Sequence, residues 1–186
     1  MTTASESSWT SPFTGLSPRD FGKLITMLRR EKDTVLIVDG TLVPSRSHTI
    51  AEKSENYRYS TNHQVAVDAH TRLVVAVGTP VPGSRNDCKA WTDSGAKAAV
   101  GRTTTIADGG SPGTGLVIPH RRPKGGGLTE WQTEHNHDHR RGRTRVEHVF
   151  ARMRAWRILR GCRLKGDGVH HAMRGIARLH NLVHAT

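Results

Sequence analysis

Cysteine is scarce: the 186 residues contain only Cys88 and Cys162, far apart in the chain. Two cysteines cannot complete a four-cysteine zinc site, and without an export signal nothing points to a disulfide. The N-terminus MTTASESSWT has neither the basic n-region nor the apolar h-region of a secretory signal. No stretch approaches the roughly 20 apolar residues of a membrane span. These absences imply a reduced, intracellular, soluble chain with no membrane partner. Hydrophobic residues are also few, at 34%, so much of the surface must be polar or part of the chain loosely ordered. No internal repeat is visible, and the length suits one domain with a core of its own.

Negative charge is the other shortage. Sixteen Asp and Glu stand against 28 Lys and Arg, a net charge of +12. An excess of that size raises the local concentration of a polyanionic partner and speeds its capture. The bland reading of this composition is a small RNA-associated or ribosomal protein.

Periodicity then divides the chain. Residues 1–16 are rich in Ser and Thr and are expected to be disordered. Residues 17–32 begin a short helix with Ser17 as N-cap, Pro18 at the first helical position and a stripe of Phe21, Leu24, Ile25 and Leu28. Residues 33–186 are expected to form the main domain. Val35–Val38 reads as a buried strand ending at Asp39-Gly40. His63–Ala69 and Arg72–Thr79 read as a hairpin, with Asp68 in its turn. Residues 86–100 read as one helix, Thr103–Ala107 and Leu116–Ile118 as strands, and 120–130 as a Gly- and Pro-rich loop. A long basic helix is expected over 131–160, broken at Gly161, with Val146, Val149, Phe150, Met153 and Trp156 as its apolar stripe. A last helix over 169–184 has Met173, Ile176, Leu179 and Val183 at helical spacing. This order implies an α/β fold, a mixed β-sheet flanked by helices.

Two acids stand where apolar strands give out: Asp39 after VLIV and Asp108 after TTIA. Each precedes a glycine, so the backbone can turn and leave the carboxylate at the rim of the sheet, where ligands of open α/β sheets gather. A third acid, Glu147, is the single carboxylate among ten cations between Arg140 and Lys165. An exposed ion pair with Arg143, four residues before it, accounts for Glu147 as well, at a few tenths of a kcal/mol. Together the three suggest a hard divalent cation, which prefers carboxylate and water oxygens.

In this order, VLIVDGT, TIADGGSPG and RTRVEHVFARMRAWRIL resemble the three acidic motifs of the insertion-sequence and Harbinger-related DDE endonucleases. PGSRNDCKAW resembles the segment that this family carries between its first two acids. The resemblance covers about residues 33–184 and implies an RNase H-like fold. It implies that Asp39, Asp108 and Glu147 are the catalytic residues and hold two Mg²⁺ ions, with Mn²⁺ able to substitute. Such a protein would hydrolyse and join DNA phosphodiesters as a bacterial, nucleoid-associated enzyme of the cytoplasm, with DNA as partner and a homo-oligomer possible on it. Asp87, in the Pro-Gly-Ser segment, competes with Asp108 for the second position, although a helix start explains it by capping. Arg143, Arg145, Arg152, Arg154 and Arg157 are the expected DNA contacts.

Other residues have structural readings beside functional ones. His135, His137 and His139 alternate without the i, i+4 spacing of a helical zinc site, so they read as a solvated or phosphate-facing segment. Trp91, Trp131 and Trp156 read as packing residues, and Tyr57 and Tyr59 as structural or base-stacking. Two departures from the family pattern stand out. Ser111 occupies the place of an aromatic residue after Gly109-Gly110. Relatives also carry a helix-turn-helix ahead of the first acid, and only three residues separate Glu31 from Val35. The alternative reading is therefore a catalytically inactive, DNA-binding remnant.

Overall fold

The computed structural model describes residues 34–184, apart from 56 and 58. The expected disorder of 1–16 and the helix over 17–32 lie outside the described residues. Five strands form one mixed sheet: β1 (Leu36–Pro44), β2 (Ser60–Asp68), β3 (Val74–Val77), β4 (Val81–Pro82) and β5 (Thr105–Ile106). Their order is β3-β2-β1-β5, with β4 also on β2; β1–β2 and β2–β3 are antiparallel and β1–β5 is parallel. Helices α1 (Asp87–Asp93), α2 (Ala96–Val100), α3 (Glu130–Ala155), α4 (Arg157–Arg160) and α5 (Gly168–His184) flank it. The α/β class and the mixed, helix-flanked sheet of an RNase H-like domain are therefore present.

Successive residues of a strand face opposite sides of the sheet, and β1 shows the consequence. Ile37 and Val43 join Val65 and Val67 of β2 in a core under α3, α4 and α5, with Val146, Phe150, Met153, Leu159, Met173 and Ile176. Leu36 and Val38 turn the other way and join Ala66, Trp91, Ala96 and Val100 under α1 and α2. β2, inside the sheet and covered on both faces, is buried along its whole length, including Thr61, Asn62, His63 and Gln64. At the outer edge Asn181 of α5 binds both backbone groups of Val74: Val74 N–H donates to its Oδ1 at 2.8 Å, and its Nδ2 donates to the Val74 carbonyl at 2.8 Å.

Several expectations need correction. β1 does not stop at Asp39; it pairs with β2 through to Pro44. The loss of apolar residues after Val38 marks only the end of its pairing with the short β5. The helix over 86–100 is two helices, because Gly95 sits in the left-handed region at φ 74° between them. Thr103–Ala107 contributes only Thr105–Ile106 to the sheet, and the Leu116–Ile118 strand reduces to one bridge, Ile106↔Val117. The long helix breaks at Trp156, whose ψ of 126° is extended, rather than at Gly161. Trp156 is exposed, as is Trp131, whereas Trp91 is buried. On α5 the buried set is Val169, Met173, Ile176, Ala177 and His180; Leu179 and Val183 of the expected stripe face outwards. The hairpin turn is as expected: the Asp68 carboxylate accepts from the backbone of His70 and Thr71 at 2.8 and 2.6 Å.

Candidate active site

The parallel register of β1 and β5 ends at the pair Ile37↔Ile106. Asp39 and Asp108 each lie two residues beyond it. β5 ends at Ile106 while β1 runs on to Pro44, so Asp39 lies within its strand and Asp108 just past the carboxyl end of the neighbouring one. Asp39 has the parity of Ile37, so its side chain turns towards α3. There Arg143 Nη2 stands 3.8 Å from Asp39 Oδ1. Gly40 has the opposite parity and turns towards α1.

Asp87 fills the space that a Gly40 side chain would need. A Cβ added at Gly40 would lie 2.2 Å from Asp87 Oδ1 and 2.9 Å from Gln64 Nε2, so only glycine allows this approach. Asp87 does not cap its helix. Asn86 is the N-cap, accepting from Lys89 N, while Asp87 Oδ1 accepts from Asn62 Nδ2 and Gln64 Nε2, both at 3.0 Å. The carboxylate is thus held by two amides of β2, on the side of the sheet away from Arg143.

Charge converges on Asp39. Burial pushes its carboxyl up to about 6; the Arg143 guanidinium pulls it down, the negative charges of Asp87 and Asp108 push it up again, and the Gly40 amide lowers it. That amide donates to Asp39 Oδ1 at 3.1 Å. Asp108 Oδ1 accepts from Gly110 N at 2.9 Å in the next turn of the chain. Ser111 is buried there, and its carbonyl accepts from Thr114 Oγ1 at 2.7 Å. Cys88 Sγ on α1 reaches the Gly110 carbonyl at 3.1 Å.

Glu147 is one helical turn beyond Arg143 on α3. It is exposed and lines an open groove of about 450 Å³ with Pro119, Asn136, His139, Arg140, Arg143 and Thr144. Among the described residues no three His, Cys, Asp or Glu side chains stand close enough to hold one ion. The structure brings Asp39 within electrostatic reach of Asp108 and Asp87, and leaves Glu147 on the adjoining groove. Donor chemistry nonetheless fits a divalent cation. Carboxylate oxygens are the kind such an ion prefers, and the charges of Asp87 and Asp108, which add to the effect of burial on Asp39, are ones that it would offset.

The expected DNA contacts fall into two groups. At about 100° per residue, Arg143, Glu147 and Arg154 share a side of α3, while Arg145 and Arg152 point roughly opposite. Arg152 Nη1 is bonded to His184 Nε2 of α5 at 2.7 Å. Arg157 comes after the break at Trp156 and is exposed, as are Arg145 and Arg154. The HNHDH stretch is not uniformly solvated. His137 is exposed, but His139 is buried and donates from Nε2 to the Ala107 carbonyl at 2.8 Å. Burial holds its imidazole below the ordinary range. Tyr59 stacks on His48 at 4.0 Å between ring centroids, and Tyr57 is exposed.

A helix-flanked mixed sheet with acids just beyond the parallel pairing of two strands, and a basic helix laid beside them, defines a class. The family model for the transposase DDE domain matches residues 30–182, and the chain belongs to that family. It is also 56% identical to the curated "Putative transposase for insertion sequence element IS112" of Streptomyces albus G, over 97% of this chain and 96% of that protein. No solved structure matches it. Among the described residues no helix is long and apolar enough to cross a membrane.

Proposed function

We propose that the chain is a metal-dependent DNA nuclease and strand-transfer enzyme whose catalytic acids are Asp39, Asp108 and Glu147. The observation that carries this reading is the convergence on Asp39, where the charges of Asp108 and Asp87 reach it and Arg143 of α3 stands 3.8 Å away. Asp39 and Asp108 would hold Mg²⁺, and Glu147 would complete its ligands from the helix. When bound, two such ions activate a water or a 3′-hydroxyl and stabilise the leaving oxygen of a phosphodiester. The chain's own contribution is to place carboxylates on and just past neighbouring strands and guanidinium groups beside them, where phosphate oxygens can be gripped. Asp87 is the weaker candidate for a ligand, because both amides of β2 already occupy one of its oxygens.

Nicking of supercoiled plasmid with Mg²⁺, Mn²⁺ or EDTA tests the reading. Activity is expected with either metal and not with EDTA. Asp39→Asn, Asp108→Asn and Glu147→Gln should each cost more than the roughly 10- to 100-fold typical of residues that only support metal ligands. Asp87→Asn should cost less than any of them. An inactive Asp87→Asn beside an active Asp108→Asn would reverse the assignment of the second acid.

A second reading, a DNA-binding remnant that no longer transposes by itself, is favoured by length. The alignment with the Streptomyces protein spans 247 positions and this chain has 186 residues, so at least 247 − 186 = 61 positions face no residue here. A missing helix-turn-helix before Val35 would account for such a gap and would remove base-edge contacts while leaving phosphate contacts. Binding should then weaken steeply with salt and favour the parent element's terminal repeats over random duplex by less than about a hundredfold, against 10³-fold or more for specific binders. Arg154→Ala and Arg157→Ala should each reduce the salt slope by about one. Arg152→Ala should reduce it less, since His184 already engages that guanidinium. A preference above a hundredfold would show that the remaining domain reads sequence.

A further inference from the structure

β5 is too short to hold the next stretch of chain in place. Only Leu36↔Thr105 and Ile37↔Ile106 pair it with β1, and on its other side there is one bridge, to Val117. Asp108 begins the long segment that leaves β5 and returns to α3 at Glu130. Two side chains of α3 take hold of that segment. His139 donates from Nε2 to the carbonyl of Ala107, the residue before Asp108, at 2.8 Å. Asn136 binds the backbone of His120 twice: His120 N–H donates to Asn136 Oδ1 at 2.7 Å, and Asn136 Nδ2 donates to the His120 carbonyl at 2.9 Å.

These two residues are three positions apart, so they share a side of the helix. Arg143, which reaches Asp39, lies four residues after His139, and Glu147 four after that. One side of α3 thus carries, in sequence, two grips on the Asp108 segment, the cation on Asp39 and the third acid. The burial of His139 excludes water from its hydrogen bond, and a carbonyl partner requires the Nε2-protonated form of the ring. Neither residue belongs to the apolar core.

We propose that Asn136 and His139 are positioning residues: they latch the segment bearing Asp108 to the helix bearing Arg143 and Glu147, and so set the spacing of the acidic site. The inference rests on the nuclease reading above. It assigns the spacing of strand acid and helix acid to side chains of α3, rather than to the sheet.

The full chain, free of metal, is compared by amide hydrogen exchange with His139→Ala, Asn136→Ala and His139→Gln, and Mg²⁺ binding to each is followed by calorimetry. Both alanine variants should exchange at least about tenfold faster in peptides covering 107–120, with β1 and β2 unchanged. Their Mg²⁺ affinity should fall by about 10- to 100-fold, the usual cost of losing a residue that orients a ligand. His139→Gln, which keeps an N–H donor of similar reach, should recover much of both. Faster exchange throughout the sheet would overturn the proposal, since the two residues would then support the fold at large. Local loosening with unchanged Mg²⁺ affinity would overturn it equally. If His139→Ala does not fold, the half-buried Asn136 decides the same questions. A wild-type chain that neither binds Mg²⁺ nor nicks DNA removes the nuclease reading; a wild type that does both, with variants indistinguishable from it, removes the latch alone.

Discussion

Asp39→Asn is expected to strengthen the fold at pH 7.5 while ending DNA nicking. The Asp39 carboxyl is raised to about 6, chiefly by burial. Its ionised form therefore costs more in the folded chain than in the unfolded one. That cost is absent below pH 4 or so, grows as pH rises, and is complete above about 6. Asparagine keeps an oxygen for the Gly40 amide and carries no charge, so it removes the cost. A carboxyl with a third of its surface exposed is partly screened, which reduces the gain to about 1–2 kcal/mol. Melting followed from pH 4 to 8 should show the variant and wild type converging in acid and the variant several degrees higher at neutral pH. Mg²⁺ at ten times its dissociation constant would stabilise the wild type by about 1.4 kcal/mol and narrow the difference. A variant less stable than wild type at pH 7.5 would mean that the pairing of Asp39 with Arg143 outweighs its burial.

Acid should unfold the wild type through His63. This residue is fully buried in β2; its Nε2 is bonded to Thr61 Oγ1 at 3.1 Å, and its Nδ1 has no partner. Burial, and then the neighbouring charge of His170 on α5, lower its pKa to about 3. Between that value and the ordinary 6.5 the unfolded chain binds a proton that the folded chain refuses. Stability is thus fully present above 6.5 and is lost as pH falls, at up to about 1.4 kcal/mol per pH unit from this group alone. His139, His170 and His180 are shifted downwards as well, again first by burial, and act in the same direction. Asp39 acts oppositely between about 6 and 4, but a single carboxylate does not balance four imidazoles. Denaturant titrations at pH 7, 6 and 5 should show a steep loss in the wild type and a shallower one in His63→Gln. Equal slopes in the two would place the acid sensitivity elsewhere.

The nearness of Asp39 and Asp108 to the paired part of β1 and β5 was legible because an apolar run leading into Asp-Gly is a local signal. So was the class of fold, since the order of apolar runs reflects which elements must be covered. The continuation of β1 to Pro44 was not legible: it is stabilised by hydrogen bonds to β2, which leave no apolar trace in Asp39-Gly40-Thr41. His139 was hidden for a related reason. Its burial depends on the Ala107 carbonyl, a backbone group distant in sequence, and the alternation in HNHDH resembles a solvated stretch. Asp87 looked like a helix-capping acid because it stands at the helix start, next to Asn86, which is the N-cap; only the empty space at Gly40 and the amides of Asn62 and Gln64 reveal where its carboxylate is used. Leu179 and Val183 repeat at helical spacing without lying under the sheet, since β3 is narrow and the buried side of α5 turns towards Val169, Ala177 and His180.

The grip of Asn181 on Val74 bears on the outer edge of the sheet. β3 is the last strand on its side of the sheet, and Val74, Val75, Ala76 and Val77 are all apolar. An outer strand of that composition is an invitation to edge-to-edge association, because its outward N–H and C=O groups are the ones a foreign strand would bind. Asn181 occupies both groups of Val74 with a side-chain amide that mimics a peptide unit yet cannot be extended into a further strand. One polar residue on a helix thereby caps the outer strand at Val74.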